Sequence, residues 1–339
     1  MSGFLSKVLN WTIRGIWLLF RILLIAWATL AIYYSNLPSA ELRVALATSF
    51  AVSAIWLLWV SRDRRAPVVF VVLFLGVVGW WLSISPSHDR PWRPDVAVMP
   101  RATIDGDRVR ITGVRNFEYR SLTDFTARWE EREVQLSHLT SVDFFVSFFC
   151  VPLERGAGWP YLPQLHLRQC PTLEHLYRDA ARSGRKLQSC RLPFKQFELI
   201  YVVGDERDLV RVRTNFRKET VYLYRLNASP DNVRRLFMVY LKRINELADR
   251  PEFYHLLSNS STINIIRYLN AAGPRGRFDV RHLLNGLIDS YLYHSGRIDA
   301  TLPFDELRRR SRINEAARAA NDAPDFSERI RASLPTIAR

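Results

Sequence analysis

Few residues in this chain could act as nucleophiles. Asn259, Ser260, Ser261 and Thr262 stand together ahead of an apolar helical pattern, and cysteines occur only at 150, 170 and 190. A serine hydroxyl attacks a carbonyl only when a placed base takes its proton, whereas a thiol ionises more readily. Without such a base, the 258–262 cluster reads as a helix cap whose oxygens satisfy free N–H groups. The cysteines form no CxxC and no paired spacing that indicates a disulfide framework. His282 and His294 fall within the helical pattern 278–296 and read as structural. There is no zinc spacing and no phosphate-cradling glycine loop, so neither metal nor cofactor is expected.

The elements that must position these residues centre on 194–226. Phe197–Val203 is almost wholly apolar and predicts a strand buried on both faces. Leu209–Arg213 and Val221–Arg225 alternate and predict two more strands, giving a meander with a tight turn at Gly204–Asp208. Upstream, Ala102–Val114 predicts a hairpin around Asp105-Gly106-Asp107, and 141–149 a strand or buried helix. Isolated charges in 116–132 read as a solvated face. Downstream, Ser229-Pro230 opens a helix to about Leu247, and another follows the 258–262 cap to Leu269. Gly273–Gly276 reads as a turn, and Phe304–Ala320 predicts one basic amphipathic helix bearing Arg308, Arg309, Arg310 and Arg312.

Ahead of all this lie three apolar runs, Gly15–Tyr34, Val44–Val60 and Pro67–Ile84. Each is about long enough to cross a bilayer core at ~1.5 Å per residue. A cleaved leader would account for one such run, not three. Lys7 and Arg14, and then Arg62, Arg64 and Arg65, place the N-terminus and the second loop in the cytoplasm. Residues beyond 84 then lie outside the cytoplasm, in the periplasm of a bacterial inner-membrane protein. The expected organisation is an anchor at 1–84, a Pro- and Trp-rich tether at 85–101 and one domain at 102–339.

The net charge of +15 divides into +5 over residues 1–84 and +10 beyond. Such a balance suits nucleic acid or anionic lipid. No RNA- or DNA-binding signature accompanies it, and the topology disfavours nucleic acid.

Several short motifs carry a family resemblance: Trp92–Ala97, Ile104–Asp107, Val114–Arg120, Thr123–Phe125 and Trp129-Glu130, then Phe197–Tyr201, Asp205–Asp208, Arg213–Asn215, Val221–Tyr224 and Pro251–Tyr254. In this order, over about 90–150 and 194–335, they resemble the Lnb-type periplasmic domain of bacteria. The resemblance implies an α+β fold of permuted papain-like form, with a base His on an earlier strand and a nucleophilic Cys at a later helix start. It also implies a lipoprotein N-acyltransferase activity, with membrane lipids and lipoproteins as partners and no nucleic acid. In this register Ser261 occupies the Cys position, with Asn259 and Thr262 in support.

The family's His is missing. Between the regions around Phe148 and Phe197 the family carries a Gly/Ala-His-Thr…Ser-Phe pattern, then a strand ending Ser-Ile-Glu-Thr-Arg. Here residues 155–193 hold seven basic and two acidic residues and no clean period. Codons read from their second base permit Gly at Trp159-Pro160, His at Pro160-Tyr161 and a run GHTFLSFTF. From Glu174 to Arg182 they permit a strand ending Ser-Ile-Glu-Thr-Arg. The expectation is that about 150–193 is translated out of frame and lacks the strands around the His, so that His166, His175, Cys170 and Cys190 are not site residues; the alternative is a genuine divergent insertion. The function expected is a membrane-anchored periplasmic protein of the acyltransferase class, acting on lipid or lipoprotein acyl groups and impaired in its present sequence. The alternative is a non-catalytic envelope protein that keeps the binding surface.

Overall fold

The structure, a computed structural model, describes residues 2–37, 39–90, 92–148, 161–167, 172–178, 194–255, 258, 260–276, 279–282 and 287–335, with the backbone only at 2–6, 161–167, 172–178 and 280. The described residues divide into two compact units, 1–87 with 184–197, and 88–183 with 198–339.

The first unit holds three helices, α1 (Ser2–Tyr33), α2 (Ala40–Ile55, continued by a wider turn at Trp56–Val60) and α3 (Ala66–Ser83). All three are long and apolar enough to cross a membrane. Ser39 caps α2 by accepting from Leu42 N at 3.3 Å, and Pro67 sits in the first turn of α3, where its missing N–H has no intrahelical partner to lose. Ile25, Ala54 and Phe70 join the three helices, with Phe50, Leu57 and Phe74 packed around them. Trp11, Ile16, Val68 and Leu75 point outward uncovered, as lipid-facing side chains do.

A tetrapeptide from far along the chain, Phe194–Phe197, belongs to this unit. The Lys195 ammonium donates to the carbonyls of Trp81, Leu82 and Ile84 at 3.0, 3.2 and 3.1 Å. These lie at the end of α3, where carbonyls have no N–H four residues on and the helix dipole favours a cation. Gln196 Nε2 donates to Tyr34 O just past α1, and the Phe194 ring lies 5.5 Å from that of Tyr34. One tetrapeptide thus binds the C-terminal ends of both α1 and α3.

The second unit is built on an eight-stranded sheet. Its strands are β1 (Arg101–Asp105), β2 (Arg108–Arg115), β5 (Trp129–Gln135), β6 (Val142–Phe148), β7 (Tyr161–Leu167), β8 (Thr172–Arg178), β9 (Glu198–Gly204) and β10 (Thr220–Arg225); β3 (Glu118–Tyr119) and β4 (Phe125–Thr126) form a small separate pair. The order is β1-β2-β9-β8-β7-β6-β10, with β5 also on β2. Asp105 faces Arg108 across the expected hairpin, and Gly106 takes a φ of +56° in its two-residue turn. Gly113, at a φ of +72°, sits at the irregularity between Ile111 and Val114. A Cβ there would lie 3.0 Å from the Val98 side chain and 3.2 Å from Pro100 Cα. The bulge bends β2, so that Arg115 meets Gly204 of β9 in parallel register.

Every residue of β9 is buried, as the apolar run Leu199–Val203 requires, and buried Glu198 at its start pairs with Arg90 at 3.2 Å. Ile200 and Val202 face Val96 and Leu209 on one side. On the other, the Tyr201 ring packs edge-on against Tyr240. Tyr240 belongs to α5 (Pro230–Asp249), capped by Ser229 accepting from Asn232 N at 3.3 Å. The side opposite α5 is covered by α4 (Glu206–Arg211) and, after α6 (Ser261–Ala272), α7 (Ile288–His294) and α8 (Phe304–Arg310), by α9 (Asn314–Ala319) and α10 (Phe326–Arg329). There Phe145, Val221 and Leu223 of the sheet meet Ile313, Ala317, Phe326 and Ile330. Of the segment expected to be a tether, residues from His88 onward pack with this unit, and Trp92 and Val96 are buried in it.

Five expectations are corrected. Leu209–Arg213 is helical, not a strand, because Asp205 caps α4 by accepting from Arg207 N at 2.9 Å and the Leu209-Val210 pair faces the sheet. There is consequently no meander, and β8, β7 and β6 lie between β9 and β10. Strands do occur in the stretch expected to lack them: β7 runs beside β6 from Val142↔Leu167 to Phe148↔Tyr161, and β8 beside β9 from Thr172↔Gly204 to Arg178↔Glu198. The gap between β6 and β9 leaves two rows of backbone donors and acceptors, which any extended segment can fill irrespective of its side chains. Within 278–296 the described helices are a single 3₁₀ turn, Val280–His282, and α7, with 277–278 and 283–286 outside the described residues. Finally, the helix expected over 304–320 breaks between α8 and α9. Ser311 O accepts from Leu223 N at 2.8 Å and Ile313 N donates to Val221 O at 3.0 Å, so the break serves the otherwise open edge of β10.

Candidate functional site

Helix α6 starts where the hydroxyl cluster predicts. Ser260 is its N-cap, extended at φ −63° and ψ 159°, with its Oγ accepting from Ile263 N at 3.4 Å. Ser261 and Thr262 follow as the first helical residues, where backbone N–H groups lack intrahelical acceptors and the helix end carries partial positive charge. Ser260, Ser261 and Thr262 are 1%, 2% and 0% exposed. Asn259 lies outside the described residues.

What holds α6 in place is a tyrosine cluster. The Tyr268 and Tyr201 hydroxyls lie 2.6 Å apart, and the Tyr240 ring meets Tyr268 edge-on at 4.9 Å. Burial pushes the Tyr201 and Tyr240 phenols well up, so both stay neutral at ordinary pH. The loop before α6 is tied at both ends: Leu199 N donates to Glu252 O at 2.9 Å, Arg243 pairs with the Glu252 carboxylate at 2.5 Å, and Arg267 Nη2 donates to Ser258 O at 3.1 Å. In this position α6 packs on α5 and against β7. The backbone therefore brings the Ser261 helix to the strand that begins at Tyr161.

Three of the described histidines have other tasks. His88 bonds to Leu247 O at 2.9 Å, and His294 Nδ1 lies 2.7 Å from Ser290 O in its own helix. Buried His282 accepts at Nδ1 from Asp279 N at 3.3 Å and packs edge-on against Tyr291 at 4.3 Å; burial holds its pKa below the usual value. His166 and His175 lie within β7 and β8, opposite Asp143 and Tyr201 in register, and their side chains are outside the described residues. Cys150, Cys170 and Cys190 are also outside them. Among the described residues no cluster of His, Cys, Asp and Glu could hold a metal ion.

Sequence reasoning missed the buried ion pairs behind the sheet. Arg115 grips Asp208 through Nη2 and Nε, at 2.9 and 3.0 Å, while Phe117 N donates to the same carboxylate at 2.7 Å. Asp143, wholly buried on β6, is shared by Arg225 and Arg331, the latter at 2.8 Å, and Arg331 also holds Glu206 at 2.5 Å. Burial pushes the Asp143 carboxyl up, but Arg331 and Arg225 outweigh it and hold the carboxyl below its usual value. These pairs join segments up to 188 residues apart. No local pattern in the sequence reports that pairing.

A unit of mixed helix and sheet, following in the chain three helices long and apolar enough to cross a membrane, defines the class of a membrane-anchored α+β protein. Residues 180–288 match the family described as the Lnb N-terminal periplasmic domain, a span that includes β9, β10, α5 and α6. No curated protein and no solved structure matches the chain. Residues 180–288 thus carry the Lnb-type match, in a chain that begins with three helices long and apolar enough to cross a membrane.

Proposed function

We propose that this protein is a periplasmic acyltransferase of the Lnb type, acting on lipid or lipoprotein acyl groups, with residue 261 at the nucleophile position and activity impaired by the present sequence. The observation that carries the reading is the placement of Ser261 at the start of α6, inside the matched span, with α6 packed against β7. In the reaction, the nucleophile at 261 attacks an ester carbonyl of the donor lipid and gives its proton to a base. An acyl-enzyme forms and the lipid alcohol leaves with that proton. The amino group of a lipoprotein's terminal Cys then attacks the acyl-enzyme, forming an amide and freeing residue 261. A papain-like arrangement would supply the base from β7, at the position where the shifted frame reads His.

Two features impair the reaction. Ser261 has an alcohol of far higher pKa than the ~8.5 of a thiol, and the family's His is absent from the chain as it stands. Frame-restored residues 150–193 combined with Ser261→Cys should yield N-acylated lipoprotein in a host lacking its own N-acyltransferase, read by mass spectrometry of the terminal Cys. The unaltered chain should yield little. Full N-acylation by the unaltered chain would place the chemistry on another residue. Resequencing the codons for 149–194 against relatives tests the frame itself: relatives encoding PQLHLRQC in the same frame would end that reading.

A second reading, a non-catalytic envelope protein, is favoured by the burial of Ser261 and by its place beside a cap that needs only hydroxyls. Either reading takes the N-terminus as cytoplasmic and the domain as periplasmic, from the basic residues at 7, 14, 62, 64 and 65.

A further inference from the structure

The Arg308 side chain of α8 is held in an unusual setting. Its guanidinium carbon lies 5.1 Å from the Phe148 ring, 5.2 Å from Tyr222 and 6.0 Å from Phe304. Its Nε faces Asp289 Oδ2 at 3.4 Å. Asp289 is itself buried and engaged, accepting from Tyr224 OH at 3.2 Å and from Ser290 N at 2.8 Å. One edge of the guanidinium is thus turned into the protein, its Nε buried beside the carboxylate in an ion pair without a hydrogen bond. Among the described residues nothing accepts a hydrogen bond from its two terminal amino groups, and the side chain is 35% exposed. The nearby carboxylate of Glu306 is taken by Arg309 and, at 2.7 Å, by Arg310. The three rings are half-buried, and Phe148 and Tyr222 touch each other at 5.1 Å.

A planar fork with two outward donors suits the oxygens of a phosphate, and its fixed orientation lowers the entropy lost on binding. The rings around it offer an apolar surface beside the charge. A solvated surface arginine would need neither the buried carboxylate behind it nor three rings about it. We propose that Arg308, with Phe148, Tyr222 and Phe304, binds the phosphate of an amphiphile, a phosphate ester whose apolar chain lies over the rings. Phe148 stands opposite Tyr161, the first residue of β7, so the ligand would sit at the end of that strand. The inference goes beyond acyl transfer and holds whether or not Ser261 turns over.

The test uses the full chain in neutral detergent, titrated with mixed micelles of phosphatidylglycerol, with micelles of diacylglycerol of the same chains, and with soluble glycerol phosphate. Phosphatidylglycerol should bind tightest, glycerol phosphate weakly and diacylglycerol least. Arg308→Gln should weaken phosphatidylglycerol binding by about tenfold or more, and Arg309→Gln should leave it unchanged. Phe304→Leu should weaken the lipid but not glycerol phosphate. Should Arg308→Gln fail to fold, Arg308→Lys, which keeps the charge but loses the fork, should still weaken phosphatidylglycerol. Equal binding by wild type and the Arg308 variants, or diacylglycerol binding as tightly as phosphatidylglycerol, would overturn the site. Glycerol phosphate binding as tightly as the lipid would overturn the role given to the rings.

Discussion

At the scale of residues, the chain sets its most consequential polar groups in two ways. Ser260, Ser261 and Thr262 follow from local sequence, because a hydroxyl cluster before an apolar period caps a helix wherever that helix packs. Asp143 follows from nothing local, since its partners Arg225 and Arg331 lie far along the chain. With its folded pKa held below the unfolded value, Asp143 contributes stability above about pH 4 that is lost as pH falls through the folded pKa. Asp143→Asn should lower stability near neutral pH by about 2 kcal/mol, because two half-buried guanidinium groups lose a buried carboxylate. The variant should also lose part of the acid limb, giving a flatter decline below about pH 4 in urea unfolding. A variant with the wild-type acid limb would show that other carboxylates govern it.

At the scale of elements, neighbours decide what a segment becomes. The 304–320 pattern is helical in period, yet 311–313 leaves the helix to close β10. Asn314 contributes most directly: its Oδ1 accepts from Val221 N at 2.8 Å and its Nδ2 donates to Glu219 O at 2.7 Å, all buried. Asn314→Ala should therefore cost about 3 kcal/mol in denaturant unfolding, since two buried backbone groups lose their partners. A loss below about 1 kcal/mol would mean that Ser311 and Ile313 close the edge without it. The β7–β8 pair shows the same influence in reverse, for a stretch with no strand period lies extended between β6 and β9. The missed helix α4 is a case of period: Leu209, Val210 and Val212 fit alternation on paper, and only the Asp205 cap and the face presented to β9 select the helix.

At the scale of the whole molecule, the three spans and the domain imply a topology that can be tested directly. A reporter active only in the periplasm should work when fused after Pro86 and fail when fused after Arg65. Reversed activity would overturn the orientation drawn from the loop arginines. The Lys195 clamp has a bearing on the result, because it binds the ends of α1 and α3 with residues that immediately precede β9. Those two ends must share a side with Phe194, as a chain with an odd number of spans and one following domain requires.

The membrane spans, the first hairpin, the buried strand β9, and the caps of α5 and α6 were legible in residues alone. Each rests on interactions within a few positions, such as hydropathy over a bilayer's thickness, a Gly in a two-residue turn, or an oxygen three residues from its N–H. The position of Ser261 at a helix start was legible for the same reason. That its helix lies against β7 was not, because the tyrosines that fix α6 come from three separate elements. Strand order, the break after α8 and the ion pairs of Asp143 and Asp208 likewise exist only once distant segments meet, where burial forces polar groups to find one another.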